Sequence, residues 1–132
     1  MRNYLLYLVM LVIGLTYDVH TSAQQTFTPP TEGVVRVKLQ REVAARISQA
    51  PLPMSNGVVT TGIKPLDRAN SQAKAVSIKR CVPYSPKFEE RHKAAGLDLW
   101  YEIKFDPKAM TPASARNLYK SVPGIQRAEE VR

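Results

Sequence analysis

With 132 residues the chain leaves room for about one small domain and one modest core, and it excludes a large cleft enzyme with its scaffold. A formal charge of +8 with no block of five like charges points to a generally basic surface suited to an acidic protein or an anionic envelope surface, and not to a nucleic-acid arm. The single cysteine, Cys81, excludes an intramolecular disulfide, so the core alone must hold the domain.

Met1–Ala23 reads as an export signal. Arg2 supplies the positive start, Leu5–Leu15 is almost uninterrupted hydrocarbon, and Thr21-Ser22-Ala23 places small residues before a cut between Ala23 and Gln24. The apolar run is short for a bilayer span, so no stable membrane insertion is expected after cleavage, with a retained membrane anchor as the rival reading. An exported protein is the result: periplasmic, cell-surface or secreted. Residues 24–32, with Pro29-Pro30 and no apolar periodicity, form a tether to a domain over 33–132.

Val34–Gln40 alternates, with Val35, Val37 and Leu39 on one face and Arg36, Lys38 and Gln40 on the other, which predicts a half-buried strand. Arg41–Ser48 suggests a short helix on Val43 and Ile47. Ala50–Gly62, with Pro51, Pro53 and Asn56-Gly57, reads as a loop. Lys64–Ala73 predicts a helix, with Pro65 in its first turn and Leu66, Ala69 and Ala73 along one stripe. Ala75–Tyr84 is a second strand, Val76 and Ile78 pointing inward.

Ser85-Pro86 starts a helix running to about Ala95, which Gly96 stops in a left-handed conformation. In Leu97–Phe105 the residues Leu97, Leu99, Tyr101, Ile103 and Phe105 share the core face, opposite Asp98, Trp100, Glu102 and Lys104. Thr111-Pro112 opens a helix with stripe Ala115, Leu118, Tyr119 and Val122, and Pro123-Gly124 closes it. Ile125–Val131 is the last strand. The order β-α-β-β-α-β, with short extra helices, predicts an α+β ferredoxin-like sandwich whose helices cover one face of an antiparallel sheet.

Chemistry is sparse. One histidine outside the leader, His92, lies in a charged helical stretch, and with Cys81 it cannot furnish a structural zinc site, so neither metal nor cofactor is expected. The glycines are dispersed and form no phosphate cradle. The paired aromatics of an RNA-recognition sheet are missing, so no nucleic-acid partner is expected. The chain reads as a non-enzyme.

Three segments, GVVRVKL at Gly33–Leu39, YSPKFEERHKAAGLDLWY at Tyr84–Tyr101 and VPGIQRAEEV at Val122–Val131, resemble the N-terminal propeptide of bacterial subtilisin-like serine proteases, of the fervidolysin-like type. GIKPLDRAN at Gly62–Asn70 is similar to that family's first main helix. The resemblance implies a ferredoxin-like domain that chaperones its protease and inhibits it through its C-terminal end. On that basis Glu129, Glu130, Val131 and Arg132 would enter the protease cleft, past the last core contact, with Arg132 preceding the scissile bond. Such a propeptide is either the leading part of a protease precursor or a free-standing inhibitor. An exported binding or adaptor module without a protease partner is the alternative.

Trp100 on the polar strand face needs cover, either from a partner or from a loop of its own fold such as Pro51–Gly62. Arg36, Lys38 and Lys104 are expected to surround it as a basic docking face.

Overall fold

Alternating apolar residues build the sheet in the computed structural model, which describes residues 26–47 and 51–132. The expected leader Met1–Ala23 and the expected cleavage pair Ala23 and Gln24 lie outside the described residues. The elements run β1 (Val34–Leu39), α1 (Arg41–Ile47), β2 (Met54–Ser55), β3 (Val58–Val59), α2 (Lys64–Ala73), β4 (Ser77–Arg80), α3 (Glu89–Ala95), a 3-10 turn (Leu97–Leu99), β5 (Trp100–Lys104), α4 (Pro112–Lys120) and β6 (Ile125–Glu130). The fold is α+β. A four-stranded antiparallel sheet in the order β4-β5-β1-β6 carries it, and β2 and β3 form a separate hairpin.

The register sorts the side chains by face. Val35 lies across from Ile103, Val37 from Tyr101 and Ile78 from Ile103, and all of these are buried. Leu39, Leu99 and Phe105 join them, and Leu66, Ala69 and Ala73 of α2 with Ala115 and Tyr119 of α4 close the core. The polar face opposite presents Arg36, Lys38, Lys79, Glu102, Lys104, Arg127 and Glu129. β1 and β5 therefore have one wet and one dry side, as their alternation requires.

Helix α2 starts and stops where Pro65 and its apolar stripe place it. Asp67 in its first turn fastens the approach to the helix, its carboxylate accepting from the Thr61 and Gly62 amides at 2.7 and 3.1 Å. Thr111 caps α4 by accepting from the Ser114 amide at 3.2 Å. Gly96 ends α3 at a φ of 72°. Gly124 is constrained more tightly still: its φ is 95°, and a Cβ there would meet Val43 Cγ2 at 2.7 Å.

Four expectations need correction. The segment 50–62 is more than a loop: Asn56 and Gly57 both take positive φ, the geometry of a tight two-residue turn, and Met54 pairs with Val59. Helix α3 begins at Glu89 and not at Pro86, because residues 86–88 form a turn in which the Phe88 amide donates to the Ser85 carbonyl. Leu97 is exposed instead of sharing the core face, since the 3-10 turn breaks the two-residue alternation before β5 begins. Val76 is half exposed and sits just ahead of β4, outside the strand.

One buried polar residue interrupts the core. Tyr119 donates its hydroxyl to Asn70 Oδ1 at 2.8 Å, tying α4 to α2. Burial raises the Tyr119 pKa far above its usual 10, and raises that of Tyr101 in the same direction. A phenol whose pKa is higher folded than unfolded adds stability that is complete below pH 10 and is lost as pH rises above it. Denaturant melts at rising pH should therefore show stability falling beyond pH 10. Tyr119→Phe should flatten that fall, and an equally steep fall in the variant would disprove it.

Candidate functional site

The open face of the sheet is ordered by strand pairing into two rows. The first runs Lys79, Glu102, Arg36, Glu129 across β4, β5, β1 and β6, and its charges alternate in sign. Arg36 approaches Glu102 at 3.6 Å. The second row places Lys38 between Trp100 and Arg127. The Arg127 guanidinium sits 6.0 Å from the centre of the Trp100 ring and also holds Glu129 at 3.0 Å.

Trp100 is half buried. It lines a shallow recess of about 260 Å³ with Arg36, Cys81, Val82, Leu97 and Glu129. The segment 51–62 does not supply this cover, since Val59 is buried in the core cluster on the other side of the sheet. Cys81 stands in the recess as a neutral thiol. Burial pushes its pKa up, Glu102 adds to the rise and Arg36 opposes it, so the group is a poor nucleophile at neutral pH.

Of the basic residues expected around Trp100, Lys38 is its direct cross-strand neighbour and Arg36 lines the same recess. Lys104 is not part of this group: it sits at the far end of β5, across from Val34 and Ser77. Arg127 takes its place. The face carries more cations than carboxylates, but Glu102 and Glu129 are interleaved with them. The charge pattern is therefore a mosaic with a positive excess.

The C-terminal residues divide in two. Glu129 and Glu130 lie inside β6, paired with Arg36 and Val35, so they are not beyond the last core contact. Glu130 points to the helix side, where Arg116 of α4 and Arg132 each reach its carboxylate at 3.3 Å. Only Val131 and Arg132 leave the sheet. The Thr31 amide donates to the Val131 carbonyl at 2.6 Å, and Arg132 donates to the Thr28 carbonyl at 2.9 Å while lying 5.5 Å from the Phe27 ring centre. The tether is thus strapped to the chain's last residues from Phe27 onward.

Arg127, Glu129 and Cys81 on the open face escaped sequence reasoning as a group. The alternation of Ile125–Val131 held the signal for two of them, since Arg127 and Glu129 are two residues apart and share a face. Among the described residues no cluster of three or more His, Cys, Asp or Glu is placed to hold a metal ion, and no helix is long and apolar enough to cross a membrane. Compared with known proteins, the chain matches no family, no curated protein and no solved structure.

Proposed function

We propose that the chain is exported and acts as a propeptide-like domain, assisting the folding of a subtilisin-like serine protease and inhibiting it. In this reading the fold is the ferredoxin-like sandwich. The order β4-β5-β1-β6 supports it, with the first strand inside the sheet beside the last, and α1, α3 and the β2–β3 hairpin being additions to that plan.

The observation that speaks most for this function is the open face. A four-stranded sheet with a half-buried tryptophan and mixed charge offers a preformed platform, and it adjoins the strand that leads to Val131 and Arg132. A protease built on non-local strand pairings folds slowly, because loop-closure entropy precedes the contacts that reward it. Docking on a rigid surface lowers that cost. The inhibitory segment is then Val131–Arg132 alone, which adds to the cleft as extended backbone. Glu129 and Glu130 act from within the sheet, Glu129 as part of the docking face. Insertion of Arg132 into a cleft requires release of its contacts to Thr28 and Phe27.

The test is a titration of the full chain against a bacterial subtilisin-like serine protease, read with a chromogenic peptide substrate, together with refolding of the denatured protease in its presence. Slow inhibition at low micromolar chain and faster recovery of activity are expected. Trp100→Ala should weaken inhibition by more than ~1 kcal/mol, as the loss of a central aromatic contact does. Unchanged protease activity and no complex at high micromolar chain would overturn the proposal in favour of an exported adaptor.

A further inference from the structure

Arg132 is held from two directions. One terminal nitrogen of its guanidinium donates to the Thr28 carbonyl at 2.9 Å, and the other reaches the Glu130 carboxylate at 3.3 Å. The guanidinium carbon lies 5.5 Å from the centre of the Phe27 ring. Beside it the Thr31 amide donates to the Val131 carbonyl at 2.6 Å. The segment Phe27–Thr31 therefore clasps the last two residues through a ring, a carbonyl and an amide.

The sequence of the tether prepares it for this. Pro29 and Pro30 carry no N–H, so Thr31 is the first residue after Thr28 that can donate from its main chain. Each proline has a fixed φ, and each disfavours the helical region in the residue before it. Thr28–Thr31 is thus extended before it meets Val131, and little chain freedom remains to be lost on closing.

The clasp engages the groups that a protease cleft would use. Strand addition needs the main chain of Val131, and a side-chain pocket needs that of Arg132. One guanidinium cannot lie on Phe27 and Thr28 and fill a pocket at the same time, so the clasped and inserted states exclude each other. Phe27 is 77% exposed and Arg132 is exposed too, so the clasp can open into solvent without disturbing the core.

We propose that Phe27–Thr31 is a brake on inhibition, a strap that withholds Val131 and Arg132 from the protease until it opens. The brake rests on the protease reading and adds the regulation of that site: apparent affinity falls in proportion to the unclasped fraction.

Two measurements on the full chain test it. In the free protein, Arg132→Ala should speed hydrogen exchange at the Thr31 amide by about fivefold or more, while amides within β1 keep their rates. In the protease titration, the double variant Phe27→Ala/Pro29→Gly should inhibit about fivefold or more tightly than the parent chain, because more of it is unclasped. Arg132→Ala opens the same clasp but removes the inserting side chain, so it should inhibit less. Unchanged exchange at Thr31 in Arg132→Ala would overturn the clasp. Inhibition by the parent chain that the double variant does not strengthen would overturn the brake alone. No inhibition by any of the three chains would overturn the protease reading, and the brake with it.

Discussion

Ile103→Ala should lower the unfolding free energy by about 2–5 kcal/mol, a loss comparable with the whole stability of many small domains. Ile103 is 1% exposed and occupies the middle of β5, flanked across the sheet by Ile78 on one side and Val35 on the other. Helices α2 and α4 contribute to the same core, so the void left by the lost side chain cannot be filled by a simple shift of one neighbour. Its neighbour Glu102 provides the internal control. That residue faces the open side, and Glu102→Ala should change stability by no more than about 0.5 kcal/mol. Urea melts of the two variants decide the matter: similar midpoints would mean that the assigned faces of β5 are wrong.

Removal of Glu129–Arg132 should cost roughly 2–4 kcal/mol, from two or three main-chain hydrogen bonds at ~1 kcal/mol each and the loss of a partly buried ion pair. This reverses what the sequence suggests, where those residues read as a tail. Glu129 and Glu130 hold the last registered positions of β6 against β1, and Arg116 would face the helix side without its carboxylate. A chain ending at Glu130 keeps both and should melt close to the full-length protein. The pair of truncations separates two effects that one truncation confuses. Loss of protease inhibition in the chain ending at Glu130 with an unchanged melt would assign inhibition to Val131–Arg132, whereas a large drop in melting for that chain would contradict the strand boundary.

The sequence exposed most of the architecture because its strands are wet on one side. Val35, Val37 and Leu39, and Leu99 through Phe105, alternate cleanly enough to set both the strands and their faces. Helix α2 could be read from end to end, since proline at its start and a three-and-four spacing of small apolar residues leave few alternatives. The failures share a cause: local geometry overrode a simple period. At Leu97 a 3-10 turn takes up one residue out of phase. At Asn56-Gly57 the turn signal was visible, but the flanking strands are only two residues long and give no periodicity to detect. The candidate site was half legible. Trp100 and its neighbour Lys38 follow from the alternation, while Arg127 over the indole depends on the pairing of β1 with β6 across nearly the whole described chain, which no local pattern encodes.

That same pairing governs when the protein can become a folded object. β1 is the first of the described strands to be synthesised, and it has neighbours on both sides, β5 and β6, that lie much later in the sequence. A ribosome or a translocation pore therefore delivers Val35 and Val37 long before anything can cover their flanks. Among the described residues the sheet is incomplete until β6 is made, so its cooperative folding waits for that strand. For a chain proposed to leave the cell this lateness would be useful: the polypeptide stays threadable until β6 has joined β1.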